Sequence, residues 1–208
     1  MKRYVIVGGA PINDYENIKK QLGDDDFFAV CDCGLRHCEA LGINPDLIIG
    51  DFDSYEKPVT DKELIALPRE KDDTDTFFAA KEGVKRGYGE FLLIGVIGGR
   101  LDHSIGNLSI LLYLDSIGLK ASAIDDHSVI EVVSRNAAYI ESDYKFFSLL
   151  NVTGVAKGIS IKNAKFPLEN GEINCEYQYG ISNETINSSP AEVSVKEGKL
   201  LLIKVIKD

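Results

Sequence analysis

Asp51 and Asp53 stand two residues apart in Gly50-Asp51-Phe52-Asp53-Ser54, and in an extended segment side chains two apart point the same way. Asp72 and Asp75 fall in Lys71-Asp72-Asp73-Thr74-Asp75, and Asp102 in Gly98-Gly99-Arg100-Leu101-Asp102-His103. Two bare carboxylates about 5 Å apart repel by about 3 kcal/mol at an effective dielectric near 20. If these aspartates converge they need a cation. Hard oxygen ligands favour Mg²⁺, which keeps several waters and completes its shell with substrate phosphates. Gly8-Gly9 and Gly98-Gly99 let backbone N–H groups approach such phosphates closely, and Arg100 can clamp them. Each piece alone has a plainer reading. Gly8-Gly9 is a tight turn, Asp73 or Thr74 a helix N-cap worth about 1 kcal/mol, His103 a satisfied, half-buried imidazole, and Asp24-Asp25-Asp26 a solvated turn. Only their convergence argues for a site.

Convergence depends on the intervening elements. Residues 4–7, 27–31, 47–49 and 91–97 are short apolar runs ending in Gly or Asp, as expected of strands buried on both faces. Residues 14–22, 35–41, 61–67, 74–86 and 104–116 read as helices. In the fourth, Phe77, Phe78, Ala80 and Val84 form an apolar stripe and Gly87 is a stop. The alternation implies an α/β fold, a mostly parallel sheet with helices on both faces. Ligands of such sheets bind outside the carboxyl ends of the strands, where strand order reverses. Gly8-Gly9, Asp32, Asp51, Asp53 and Gly98-Gly99 all follow strands, and Lys71 to Asp75 lead into a helix start.

From residue 138 the helical period disappears. Residues 146–152, 159–163, 173–179, 192–196 and 200–207 suggest antiparallel strands, with Glu197-Gly198 a two-residue hairpin signal between the last two. Two domains are expected, 1–133 and 134–208, packed together without a Pro-rich or Ser-rich linker.

The charge follows the same division. Of 208 residues, 33 are acidic and 23 basic, a net charge of −10. Residues 1–133 carry 24 acidic and 14 basic side chains, whereas residues 134–208 carry nine of each. Such a field disfavours a nucleic-acid partner, which needs clustered Lys and Arg. No stretch approaches the roughly 18 to 20 apolar residues of a membrane span, and the apolar run near residue 5 is too short for a signal peptide. A cytoplasmic location with no membrane partner is expected. Cys31, Cys33 and Cys38 lie near His37, but strand and helix should point the thiols apart and no second ligand pair follows, so reduced, mostly buried thiols are expected rather than zinc.

In chain order, Cys31-Asp32-Cys33-Gly34, Pro45 to Ser54, Lys71 to Asp75, and Gly98 to His103 with Asn107 make a distinctive series. Lys165-Phe166-Pro167-Leu168 and Gly180-Ile181-Ser182-Asn183-Glu184 extend it to nearly the full length. The chain resembles the thiamine pyrophosphokinases. The resemblance implies a Rossmann-like α/β domain, a C-terminal antiparallel β-sandwich, and a homodimer with active sites shared between subunits. It implies transfer of the pyrophosphoryl group of ATP to the hydroxyl of thiamine, with Mg²⁺, giving thiamine diphosphate and AMP. The catalytic set would be Asp51, Asp53, Asp72, Asp75 and Asp102, with Asp51, Asp53 and Asp75 organising the metal. Gly8, Gly9, Asp32, Lys71, Gly98, Gly99, Arg100, His103 and Asn107 would bind nucleotide and phosphate, and Ser182 and Asn183 thiamine. Alternatives are a pyrophosphokinase for another hydroxymethyl heterocycle such as a pterin, a Mg²⁺-dependent phosphohydrolase on Asp51-Phe52-Asp53, and a non-catalytic nucleotide or thiamine sensor. The chain departs from the family at Cys31 and Cys33, where a small residue and Gly are usual, and at Asn163-Ala164, where a Gly is often found. It has no Trp to stack on thiamine, leaving Tyr177, Tyr179 and Phe166.

Overall fold

The computed structural model describes residues 2–53, 56–70, 72–186 and 189–206, and the chain divides into two compact units, residues 1–126 and 127–208. In the first, the four apolar runs become strands β1 (Tyr4–Val7), β2 (Phe27–Cys31), β3 (Leu47–Gly50) and β5 (Glu90–Ile94), joined in one parallel sheet by β4 (Glu63–Ala66) and β6 (Lys120–Ile124), which the apolar pattern does not mark. Every residue of β1 and β3 is buried, as strands covered on both faces must be. The strand order is β6-β5-β1-β2-β3-β4. The chain therefore winds outward from β1 to β4 and resumes at β5 on the other side of β1. Strand order reverses between β1 and β5, where a ligand crevice opens in such sheets.

The helices are α1 (Tyr15–Lys19), α2 (Cys38–Leu41), α3 (Asp75–Lys85) and α4 (Leu101–Ser116), with a 3-10 turn over Asp32–His37 leading into α2. Asp14 caps α1 by accepting from the Asn17 N–H, and Thr74 caps α3 by accepting from that of Phe77. A Cβ on Gly83 would lie 2.6 Å from the Phe91 ring and 2.8 Å from that of Tyr4, so only glycine lets α3 sit this close to the sheet.

Two sequence expectations fail in this unit. Residues 61–67 are not a helix: β4 pairs in parallel with β3, from Leu47 opposite Glu63 to Gly50 opposite Ala66. Glu, Leu and Ala favour helix, but the open edge of β3 offers a hydrogen-bond ladder, and such tertiary pairing overrides weak propensities. Arg86, closing α3, also holds Glu63 with two hydrogen bonds of 2.5 and 3.0 Å. The expected helix over residues 35–41 is the 3-10 turn plus one α turn.

The second unit contains β7 (Ser128–Val133), β8 (Ala138–Ile140), β9 (Phe146–Leu150), β10 (Val155–Lys162), β11 (Leu168–Asn174), β12 (Gly180–Asn183), β13 (Ala191–Ser194) and β14 (Leu200–Val205). They pair antiparallel in two sets, β12-β9-β14-β7 and β11-β10-β13-β8. One apolar core draws Phe147, Leu149, Leu200 and Leu202 from the first set and Ile140, Ile159, Ile173 and Val193 from the second. The division falls after Asp126, not at Val133, because β7 pairs along its length with β14, from Val133 opposite Leu200 to Ser128 opposite Val205. The Glu197-Gly198 hairpin does not form. β13 pairs with β8 and β10, while β14 pairs with β7 and β9. The N–H groups of Lys196 and Glu197 donate to the Lys157 carbonyl, both at 3.1 Å, and Gly198 at φ 84° turns the chain away to the other set. Asn163 has φ 53°, the left-handed backbone for which Asn is the best replacement of Gly. Among the described residues no helix is long and apolar enough to cross a membrane.

Candidate active site

The loops after β1 and β5 touch. Gly8 N–H donates to the Ile94 carbonyl at 2.9 Å and Ala10 N–H to that of Gly95 at 2.8 Å. A Cβ on Gly8 would sit 2.5 Å from the Gly95 carbonyl oxygen, so the approach requires glycine. His37 holds the first loop from below: its Nε2–H donates to the Ala10 carbonyl at 2.9 Å, and its Nδ1 accepts from the Tyr15 hydroxyl at 2.8 Å. Burial lowers its pKa and both ring nitrogens are used. His37 is thus a neutral strut rather than a metal ligand. Asp126 anchors the far end of the loop, accepting from the N–H groups of Asn13 and Asp14 at 3.0 and 2.9 Å.

Three carboxylates meet beside these loops. Asp32 follows β2 with φ 29° and is 8% exposed. Asp51 follows β3, and Asp75 opens α3 just after its Thr74 cap, where the helix dipole favours an anion. Each offers an oxygen within 4.8 Å of the other two. Burial pushes the Asp32 carboxyl above the usual range, the Asp75, Asp51 and Asp53 charges push the same way, and a 3.4 Å hydrogen bond from the Cys33 thiol opposes them. One Asp32 oxygen, Oδ1, is buried with no hydrogen-bond partner among the described residues. A donor set of hard oxygens with an unsatisfied buried atom and like-charge repulsion fits a divalent cation.

These groups line a cavity of about 550 Å³ at the switch point. Gly8, Gly9, Asp32, Asp51, Asp53 and Asp75 border it, as do Gly98, Gly99, Arg100, His103 and Asn107. Eleven residues expected at the site are therefore brought together. Asp72 and Asp102 instead border a neighbouring hollow of about 400 Å³, shared with His103 and Asn107. Lys71 lies outside the described residues.

A family model described as thiamin pyrophosphokinase, catalytic domain, matches residues 18–122, and a second, thiamin pyrophosphokinase, vitamin B1 binding domain, matches residues 130–200. The chain belongs to the thiamin pyrophosphokinase family. A curated relative, thiamine pyrophosphokinase of Bacillus subtilis (strain 168), is 28% identical over 212 residues, covering 98% of this chain and 99% of its own. The crystal structure of the thiamine pyrophosphokinase from Bacillus subtilis superposes with a TM-score of 0.86 at 25% identity, both chains fully covered. That from Geobacillus thermodenitrificans superposes at 0.84 and 27%, covering all of this chain and 98% of its own. The catalytic-domain match of the thiamin pyrophosphokinase family spans the whole carboxylate group, and its vitamin B1 binding match spans Ser182 and Asn183.

Within this family member the geometry departs from the residue-level expectations. The close carboxylate group takes Asp32, expected to position nucleotide, where Asp53 was expected. Asp53 borders the cavity, with its N–H donating to Asp51 Oδ1 at 3.2 Å. Asn107 is buried and structural in its contacts: Nδ2 donates to the Val96 carbonyl at 2.8 Å and Oδ1 accepts from the Thr76 hydroxyl at 2.6 Å, tying α3 to α4. His103 is exposed, not half-buried. Asn183 holds a turn, exchanging hydrogen bonds of 2.8 and 3.0 Å with the Phe166 backbone, while Ser182 is exposed at φ 58°. Cys31, Cys33 and Cys38 are pushed up by burial, Cys38 to about 11, which leaves them as thiols. Arg36 and Arg69 border the cavity and escaped sequence reasoning, since neither lies in a glycine-rich or acidic string.

Arg100 holds Asp102 with hydrogen bonds of 2.5 and 3.1 Å, and this contact depresses the Asp102 carboxyl from 3.8 to about 2. The charged pair therefore persists above pH 4 and is lost as pH falls toward 2. Titration followed by NMR should place the Asp102 midpoint well below that of an exposed Asp, and Arg100→Gln should return it to the ordinary range. An ordinary midpoint in the parent protein would mean that the pair does not form in solution.

Proposed function

We propose that this chain transfers the pyrophosphoryl group of ATP to the hydroxyl of thiamine, releasing AMP and forming thiamine diphosphate. The observation that carries the reading is the Asp32, Asp51 and Asp75 group beside two glycine loops at the sheet's switch point. A Mg²⁺ held by Asp32, Asp51 and Asp75, with Asp53 close by, would neutralise charge on the phosphate oxygens. The backbone of Gly8, Gly9, Gly98 and Gly99 takes the phosphates, and Thr74 presents the first turn of α3. Excess negative charge in the first unit attracts cationic thiamine. Positioning of the hydroxyl in line with the β-phosphorus supplies much of the rate. Asp72 and Asp102, which border the adjoining hollow, would meet the acceptor side. Ser182 offers its exposed hydroxyl to the aminopyrimidine, and Asn183 shapes the turn that presents it. We take the second unit as a β-sandwich, the working form as a homodimer with shared sites, and the location as the cytoplasm.

Incubation with ATP, Mg²⁺ and thiamine should yield AMP and thiamine diphosphate in equal amounts. Formation of ADP, or AMP independent of thiamine, would overturn the reading.

A further inference from the structure

The nucleotide cavity holds cations that the motif strings do not include. Arg36 and Arg69 border it together with Arg100. Arg100 is committed to Asp102, and nearby Lys81 to Asp73 at 2.7 and 2.9 Å. Arg36 lies on the 3-10 turn after β2, exposed, with its Nε donating to the Cys33 carbonyl at 2.8 Å and its guanidinium beside the Cys33 thiol. That bond and the thiol contact hold the guanidinium at the cavity border, where its charge and remaining N–H groups can meet phosphate oxygens. Arg69, just past β4, is exposed and makes no hydrogen bond or ion pair among the described residues.

The opposite charge in the cavity makes these two arginines matter. Asp32, Asp51, Asp53 and Asp75 also face this space, and a single divalent ion offsets only two of their charges. A triphosphate entering such a field needs further positive charge, and Arg36 and Arg69 are the bordering cations not held by a carboxylate among the described residues. We propose that Arg36 and Arg69 form the anion-binding pair of this cavity, taking phosphate oxygens of the nucleotide directly. The inference rests on the cavity being a nucleotide site, as argued above. It assigns binding to two residues outside the strings that carry the family resemblance.

Equilibrium binding of ATP in the presence of Mg²⁺ tests it on the intact chain. Arg36→Gln and Arg69→Gln should each weaken ATP binding by about tenfold or more, the scale of a lost charged hydrogen bond. The melting temperature without ligand should be unchanged in both. Arg36→Lys should recover part of the loss, since it keeps the charge but not the fork. In turnover the effect should fall on the KM for ATP more than on kcat. The proposal is overturned if ATP affinity in both glutamine variants stays within about twofold of the parent, or if affinity is lost only together with melting temperature. A parent protein that binds ATP but makes no thiamine diphosphate would refute the functional reading while leaving this comparison intact. One that binds no ATP refutes both.

Discussion

Asp32→Asn should raise the melting temperature of the metal-free protein while lowering Mg²⁺-dependent turnover by at least about a hundredfold, the scale seen when one preorganised electrostatic group is removed. The stabilisation follows from the environment. Asp32 is buried, carries an oxygen without a hydrogen-bond partner among the described residues, and faces Asp51 and Asp75 within 4.8 Å. Burial and like charges both disfavour its ionised form, so a neutral side chain of the same size relieves the fold. The loss of turnover has the same origin, because the repulsion among these carboxylates is what a cation and its phosphates offset. Thermal melting with a chelator and an AMP-release assay decide the matter. A variant that melts lower and keeps its turnover would make Asp32 a structural acid.

Phe91→Ala should cost about 3–5 kcal/mol of stability, a large share of the roughly 5–15 kcal/mol available to a domain. The Phe91 ring is 1% exposed, lies 5.6 Å from the Tyr4 ring centroid, and fills the space left by the missing side chain of Gly83. Its loss opens a cavity beneath α3 that neighbouring rings cannot fill. Phe91 also sits near the amino end of β5, whereas the carboxylates gather beyond the carboxyl ends of the strands. The denaturant midpoint should therefore fall sharply while the KM for ATP of the remaining folded protein is unchanged. A raised KM with an unaltered midpoint would contradict this separation.

Much of the site is legible in the order of residues along the chain. Fully buried strands leave long apolar runs, and glycines and aspartates ending several of them mark one sheet edge, since parallel strands put all their carboxyl ends together. Gly8, Asp32, Asp51 and Gly98 reach the cavity for that reason. Local pattern fails where a residue's state depends on a distant partner. Residues 63–66 carry good helix formers and become a strand because β3 has an open edge. Glu197-Gly198 has the composition of a hairpin turn, but its neighbours pair in different sets of strands, which turn chemistry alone cannot foresee.

The sequence by itself determined the α/β pattern, the acidic first part and the residue types of a phosphate and metal crevice, because these depend on local periodicity and on chemistry carried by single side chains. Only the tertiary structure decided which aspartates are neighbours, that Asn107 and Asn183 spend their amides on backbone and side-chain contacts, and that Arg36 and Arg69 face the same cavity. Those facts are distances between residues far apart in the chain. They are set by strand order and loop packing, so no spacing along the sequence encodes them.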